Sequence, residues 1–178
     1  MPIPYAGVGS RKTPPDALRE IEALGQALAR RGYLLRSGAA PGADAAWERG
    51  AIAGGGPCEI FLPWRGFEKH ASHLVLQRLP SFTQAMAIAS RHHPTWYDLS
   101  QGEQKLMGRD VLQVLGADCA SPVRFLICWA PRSAFDPAGN LVNVAGGTGQ
   151  AVRVAAHLRI PTFNLAHPPH RERLLRLL

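Results

Sequence analysis

The sequence predicts an α/β protein with three layers, in which helices cover both faces of a Rossmann-like, doubly wound and mostly parallel sheet. Short apolar runs alternate along the chain with amphipathic helical stretches, and this alternation is typical of such a sheet. A glycine-containing turn, GVGSRK, SGAAPGAD or AGGTGQ, accompanies the end of each of three apolar runs. Because the turns after parallel strands meet at the carboxyl edge of the sheet, we expect a ligand to bind there.

The first half of the chain reads as two strand–turn–helix units and a third strand. Residues 3–8 form the first predicted strand, and Thr13, Pro14 and Asp16 then have the spacing of a capping box at the start of a helix. Apolar residues recur at helical spacing up to Gly32, which we expect to end this helix as a left-handed cap. The next predicted elements are a strand over 33–36, a small-residue helix over 43–53 and a strand over 59–62.

The second half begins with a predicted helical insertion over about residues 64–118, between the third and fourth core strands. Within it, the pattern predicts a helix over about residues 101–115. The apolar run over 123–129 is predicted as a central strand. The expected order ends with a polar, hairpin-like loop, a helix over about residues 148–157, a strand near residues 161–165 and a short basic terminal helix.

The composition favours one domain over residues 1–178. The chain has 178 residues, 46% of them hydrophobic, which is enough for one sizeable core. No apolar run approaches the roughly 18 residues of a membrane span, and the first residues lack the pattern of a signal peptide. We therefore expect a soluble, cytoplasmic protein without a membrane partner.

Neither cysteines nor histidines predict a metal site. The cysteines form no C-x-x-C pair, and the two histidine pairs lack a nearby cluster of cysteines or acids. These residues are Cys58, Cys119, Cys128, His70, His73, His92 and His93. The formal net charge of +7 is spread along the chain, which favours an anionic partner without distinguishing a nucleotide from a nucleic acid.

The first glycine turn does not fit the dinucleotide fingerprint. The third glycine of that fingerprint would fall at position 12, which is Lys12, and the second strand ends in Arg36 and Ser37 rather than in an acid for the ribose hydroxyls. None of the turns ends in Gly-Lys-Ser or Gly-Lys-Thr, so the P-loop pattern is absent as well. A conventional NAD site is therefore disfavoured, and we expect no cofactor.

The motifs VGSRK, SGAAPGAD, LMGRDVLQVLG and GGTGQAVRVA follow one another in an order that extends over nearly the whole chain. In this order the chain resembles the SLOG superfamily, the Rossmann-like group that joins DNA-processing protein A to the LONELY GUY phosphoribohydrolases, and most of all its short stand-alone members in phages and bacteria. The resemblance implies a site for a nucleotide or a nucleotide-derived ligand. The implied ligand-binding residues are Gly9, Ser10, Arg11, Ser37, Gly38, Gly42, Asp44, Gly146, Gly147, Thr148 and Gly149.

The chemistry of several of these residues agrees with this implication. Ser10 and Thr148 offer hydroxyl groups, and the Arg11 guanidinium can make two parallel hydrogen bonds with a phosphate. Asp44 would be repelled by phosphate, so it would meet ribose hydroxyls, a base or a reacting centre, or it would cap the following helix. Glu48 lies four residues further on and shares the helix face of Asp44.

The same resemblance raises the question of catalysis. LONELY GUY hydrolases cleave the bond between a base and ribose 5′-monophosphate, and Arg109 matches their helical arginine. Their glycine motif is matched only in part, because Arg153 stands where their catalytic glutamate would be, and Ala145 and Gln150 also depart from the motif. Glu48 or Asp44 could substitute for the missing acid. The tentative catalytic residues are therefore Arg109, Glu48 and Asp44.

The sequence thus predicts a protein that binds a nucleotide or nucleotide-derived ligand and could process it. One alternative is an N-glycosidic hydrolase of the phosphoribohydrolase kind. Another is a DNA-binding protein like the recombination mediator DNA-processing protein A, with phosphate contacts from Arg171, Arg173 and Arg176 in the last helix. A homodimer formed through the insertion helix is a further expectation.

Overall fold

The computed structural model of this chain describes residues 1–177, in which five parallel strands form the central sheet. In chain order the strands are β1 (Ile3–Gly9), β2 (Tyr33–Ser37), β3 (Cys58–Ile60), β4 (Leu126–Trp129), β5 (Ala134–Phe135), β6 (Leu141–Asn143) and β7 (Thr162–Asn164). The sheet has the order β3-β2-β1-β4-β7, and β5 and β6 pair separately as an antiparallel hairpin.

Helices cover both faces of this sheet. They are α1 (Pro15–Arg30), α2 (Ala43–Ala53), α3 (Phe82–His92), α4 (Gln101–Leu115), α5 (Thr148–His157) and α6 (Pro168–Leu177). Successive strand residues point to opposite faces, so Tyr5 joins a buried cluster with residues of α1, α2 and α6, whereas Ala6 and Val8 join one with residues of α3, α4 and α5. The predicted three-layer α/β fold with a doubly wound sheet is confirmed.

The strand order reverses between β1 and β4. From β1 the chain continues outward through β2 and β3, and it then crosses back to build β4 and β7 on the other side of β1. At this switch point the two strands end side by side, because Gly9 is in register with Trp129 and the Ser10 N–H donates to the Trp129 carbonyl oxygen at 2.9 Å. A doubly wound sheet binds its ligands in the crevice just beyond such a point.

The predicted capping box at the start of α1 is wrong. Pro14 adopts the extended backbone of the N-cap position, so Thr13 lies outside the helix and its hydroxyl donates to the Ser10 carbonyl oxygen at 2.6 Å instead. A capping box exists at α4, where the Glu103 N–H donates to Ser100 Oγ at 3.3 Å and the Ser100 N–H donates to Glu103 Oε2 at 2.8 Å. Gly32 does follow α1 in the expected left-handed conformation, with a φ of 83°.

The boundaries of the other elements differ from prediction mainly at strand ends. The helices α2 and α5 have the predicted bounds, and α4 has those of the predicted insertion helix. The strand expected from residue 123 begins at Leu126, and the insertion also contains α3 and short 3₁₀ turns that the sequence analysis did not assign. Over residues 1–177, no helix is both long and apolar enough to cross a membrane.

Candidate functional site

A cavity of about 370 Å³ opens at the switch point of the sheet. The turn after β1, the start of α2, one side of α4 and the turn before α5 form its walls, and the segment after β4 contributes Pro131 and Arg132. Many of the residues predicted for the ligand site line this cavity. They are Gly9, Ser10, Arg11, Asp44, Arg109, Gly146, Gly147 and Thr148.

The turn after β1 places exposed basic groups at the mouth of the cavity. Its backbone is fixed by Ser10, whose Oγ accepts a hydrogen bond from the Lys12 N–H at 3.0 Å. The Arg11 guanidinium lies 3.4 Å from Glu68 Oε1 and 5.9 Å from the centre of the Phe67 ring, while its side chain remains 54% exposed. The insertion, which supplies both Phe67 and Glu68, therefore positions Arg11 without burying it.

The glycines of the second turn allow other groups to pack closely around the cavity, but they do not themselves line it. Gly42 has a φ of 88°, and a Cβ at this position would lie 2.7 Å from the Ser10 carbonyl oxygen. A Cβ at Gly38 would lie 1.6 Å from Arg109 Nη1, so Gly38 makes the space that the guanidinium fills. Ser37 Oγ is buried and donates to the Gly7 carbonyl oxygen at 2.6 Å, which joins β2 to β1. Ser37, Gly38 and Gly42 are not among the residues that line the cavity wall.

The floor of the cavity consists of one buried arginine between two buried carboxylates. Arg109 Nη1 lies 3.5 Å from Asp44 Oδ2, and Arg109 Nε lies 2.9 Å from Asp110 Oδ1. The side chains of Arg109, Asp44 and Asp110 are only 7%, 5% and 8% exposed. Burial of three charges is tolerated only where they compensate one another. Arg109 is therefore already balanced before any ligand enters.

Two donors of this arginine have no hydrogen bond of suitable geometry. Although the carboxylate oxygens are close, Arg109 Nε and Nη1 are buried and no group within residues 1–177 is aligned to accept from them. With its amide oriented to satisfy both neighbours, Gln113 accepts from the Gly38 N–H at 2.7 Å and donates to Asp110 Oδ1 at 3.3 Å. Buried donors without acceptors are rare in proteins, and a water molecule, an ion or a ligand in the cavity can complete them.

Both carboxyl groups of the floor hold their protons more tightly than usual. Burial raises the pKa of Asp44 to about 6, although the Arg109 charge and the backbone N–H groups of Ala40 and Gly9 oppose this shift. Burial also raises the pKa of Asp110 to about 7, opposed by Arg109 and reinforced by the charge of Asp44. Near neutral pH the floor therefore has a net charge close to zero, since one ionised carboxylate is enough to balance Arg109.

The third glycine turn contributes the start of α5. Gly146 has a φ of 77°, and Gly147 and Thr148 follow it along the cavity wall at the helix N-terminus. The positive end of a helix dipole at this position favours an anion. Gly149 does not line the wall, because its Cα faces the Val144 carbonyl oxygen, which an added Cβ would approach to 2.6 Å.

The residues proposed in connection with catalysis separate in space. Arg109 and Asp44 line the cavity, whereas Glu48 lies outside its wall and its Oε1 pairs with His70 Nε2 at 2.9 Å. Arg153 also faces elsewhere and binds the His92 carbonyl oxygen at 2.6 Å, so it connects α5 to α3. Arg153 further donates to Asn143 Oδ1 and Gln150 Oε1, so its contacts connect structural elements rather than face the cavity.

Sequence reasoning did not assign a site role to Lys12, Asp110, Gln113 or Arg132, all of which line the cavity. A signal for two of them was present in α4, because Asp110 and Gln113 are polar residues within an apolar helical run. Among residues 1–177, no group of three or more His, Cys, Asp or Glu side chains is arranged to hold a metal ion.

Comparisons with known proteins relate the chain to one solved fold. No protein-family model matches it, and no curated protein is similar to it in sequence. Among solved structures, it is similar to DNA processing protein A from Helicobacter pylori, a structure described for its unique mode of binding single-stranded DNA. The two share a TM-score of 0.57 at 16% sequence identity, over 98% of this chain and 72% of the other. The similarity is one of fold.

Proposed function

We propose that this protein binds single-stranded DNA and takes one nucleotide unit of the strand into the cavity at the switch point. The observation that supports this proposal most is the division of the cavity into two parts. Its floor holds buried charges that compensate one another, and two donors of Arg109 there lack a well-aligned acceptor. Its mouth holds the exposed basic side chains of Arg11, Lys12 and Arg132.

The chemistry of the floor suits the uncharged part of a nucleotide. Because Asp44 and Asp110 already compensate Arg109, a phosphate on the floor would bring an excess of negative charge into a buried place. The edges of the bases instead combine donors with acceptors. The free donors of Arg109 and the carboxylate oxygens beside them match such groups.

The mouth suits the phosphates. Arg11 can make a bidentate contact with a phosphate, and Lys12 and Arg132 add positive charge at the same rim. The N-terminus of α5 offers a further anion-binding position at Gly147 and Thr148. These groups are solvent-exposed or face the opening, so a chain of phosphates can reach them from outside.

The comparison favours a strand over a free nucleotide, since the protein that shares this fold binds single-stranded DNA. The net charge of +7 also suits a polyanion. A free nucleotide is the second candidate, because a cavity of about 370 Å³ lies within the ordinary range of roughly 300 to 1,000 Å³ for small-molecule sites. Hydrolysis is not part of the proposal, because Glu48 lies outside the cavity wall and the Asp44 carboxylate is paired with Arg109.

Fluorescence anisotropy with a labelled oligothymidylate of about twelve nucleotides tests the proposal at low salt. We expect the wild type to bind and the double variant R11A/R132A to bind about tenfold more weakly, with a shallower salt dependence because about two phosphate contacts are lost. The matched control is Arg124→Ala, which removes an exposed arginine from the opposite, amino edge of the sheet. This control should bind like the wild type.

The outcomes separate the two candidates. Absence of oligonucleotide binding by the wild type at low salt contradicts the proposal. If thymidine monophosphate binds as tightly as the oligonucleotide in isothermal titration calorimetry, the free nucleotide is the better assignment. Equal weakening by R124A and R11A/R132A would show that only general charge is involved.

A further inference from the structure

A second cavity, of about 360 Å³, lies beside the edge strand β7 and away from the cavity at the switch point. The far end of the β5–β6 hairpin, the end of α5 and the helix α6 enclose it. The side chains that matter for its chemistry are those of Asp136, Arg159, Phe163, His170 and Arg173. None of them takes part in the first cavity.

This second cavity has an excess of positive charge. Arg159 and Arg173 line it and are both exposed, and the Arg173 guanidinium lies 5.6 Å from the centre of the Phe163 ring. The acid in its wall is Asp136, whose carboxylate is engaged within the hairpin turn. It accepts from the Asn140 N–H at 2.8 Å and from Asn140 Nδ2 at 3.0 Å. The two arginines are thus the charges that a ligand meets.

The terminal helix contributes to this cavity through one of the three arginines that the sequence suggested for phosphate contacts. Arg171 is paired with Glu20, since its Nε lies 2.5 Å from Glu20 Oε1. Arg176 is exposed but does not line the cavity. Arg173 is the one that the fold directs to the cavity wall.

Two aromatic side chains, Phe135 and His167, lie outside the wall of the second cavity, and both contact His170, which lines it. Phe135 is 38% exposed, and its ring centre lies 4.7 Å from that of His167 and 5.4 Å from that of His170. His170 Nδ1 accepts the Asn164 N–H at 3.2 Å, which fixes its ring. Burial and the nearby His167 and Arg173 lower the pKa of His170. The exposed Phe135 ring beside the His167 and His170 rings offers a surface on which a base can stack.

The β5–β6 hairpin joins the two cavities. At its base the Ala145 N–H donates to the Pro131 carbonyl oxygen at 3.1 Å, and Pro131, Arg132 and Ala145 line the first cavity. Asp136, at its far end, lines the second. Residues 132 and 136 are four steps apart, so at most about 14 Å of chain separates the two borders. A few nucleotides of an extended strand are therefore long enough to reach from the first cavity to the second.

We infer that the second cavity binds another nucleotide of the same single strand, with a base stacked on Phe135 and His167 and a phosphate between Arg159 and Arg173. The inference rests on the proposed function, because it assigns the path of the strand beyond the first cavity. Stacking on an aromatic side chain and contact with basic groups is the common chemistry of single-strand binding.

The test compares two ligands on variants of the second cavity, measured by fluorescence anisotropy. We expect Phe135→Ala and Arg173→Ala to bind an oligothymidylate of about twelve nucleotides roughly tenfold more weakly. Both should bind a labelled thymidine monophosphate, which can occupy only one cavity at a time, like the wild type. The matched controls are Tyr97→Ala, which removes an aromatic side chain that is 95% exposed, and Arg176→Ala from the same helix as Arg173. The controls should bind both ligands normally.

A second measurement tests where the DNA strand contacts the protein. In the wild type, a photoreactive thymidine analogue in the long strand should crosslink to the peptide that contains Phe135. Normal binding of the long strand by both variants, or an equal loss for both ligands, overturns the inference while the proposed function stands. Failure of the wild type to bind the long strand overturns the proposed function itself. Thermal melting of each variant by circular dichroism excludes unfolding as the cause of a loss.

Discussion

The floor and the mouth of the switch-point cavity carry the same kind of charged group in opposite circumstances. On the floor, Arg109 is 7% exposed and lies between Asp44 and Asp110. At the mouth, Arg11 is 54% exposed and has one partner, Glu68, at 3.4 Å. The floor charge is held in place by other charges that are almost fully buried, whereas the mouth charge is free to exchange its partner for a phosphate.

This difference separates structural from binding contributions. A buried ion pair is destabilising to break, because the remaining partner cannot return to water, but an exposed pair contributes about 1 kcal/mol or less. Substitutions on the floor should therefore change stability, and those at the mouth should change binding. The following experiments test this division, beginning with the largest expected effect.

Replacement of Arg109 by leucine should cause the largest loss of stability. The variant leaves Asp44 and Asp110 buried without their cation, which should lower the free energy of unfolding by about 3 to 5 kcal/mol at pH 8. Urea denaturation measures this change. At pH 5 the loss should be smaller, because the two carboxyl groups with raised pKa values are then protonated.

An Arg109→Lys variant serves as the matched control, because it keeps the positive charge and should retain part of the stability. If Arg109→Leu were as stable as the wild type at pH 8, the floor would not be the compensated charge cluster described above.

Replacement of Asp110 by asparagine should flatten the dependence of stability on pH. Because the folded state raises the pKa of Asp110 from 3.8 to about 7, the folded protein binds more protons than the unfolded chain between these values. The wild type should therefore lose stability as the pH rises from about 4 to 7, by up to a few kcal/mol at about 1.4 kcal/mol per pKa unit.

Thermal melting across this pH range measures the effect. The variant Asp98→Asn, which changes an exposed acid, should keep the wild-type profile. Parallel profiles for D110N and the wild type would mean that the Asp110 carboxyl does not hold its proton in the folded state.

Replacement of Arg132 by alanine should have the smallest effect on stability. Arg132 is exposed at the mouth, so the free energy of unfolding should change by less than about 0.5 kcal/mol. Its φ of 55° is equally strained for arginine and alanine, so the backbone makes no difference to this comparison. If urea denaturation showed that the free energy of unfolding falls by more than about 1 kcal/mol, Arg132 would contribute to stability as the floor residues do, and the distinction between floor and mouth would fail.

Much of the fold could be predicted from local pattern. The bounds of α2 and α5 follow from glycine turns and apolar spacing, and the structure agrees with the predicted range for α2 and with the approximate one for α5. The start of α1 was not, because proline can occupy either the N-cap or the first helical turn and only the backbone decides between them. The insertion was predicted only in part, since α3 buries its apolar side against α4 rather than against the sheet.

The candidate site divides in the same way. The glycine turns and Arg109 were identified from their motifs, and the structure brings Gly9, Asp44, Arg109 and Gly146 to one cavity. The sequence could not show that the Glu48 side chain lies outside the cavity, where it cannot act as a catalytic acid. A helix position says which face a residue shares, whereas the partner of Glu48, which is His70, comes from the insertion.

The sequence by itself determined the alternation of strands and helices, the positions of the glycine turns and the net positive charge. These are local or additive properties, fixed by backbone freedom, apolar spacing and composition. Only the tertiary structure decided that Arg109 is held between Asp44 and Asp110, and that Arg173 rather than Arg171 faces a cavity. Such assignments depend on which segments, distant in sequence, come into contact, because a charged side chain becomes buried or paired only through those contacts.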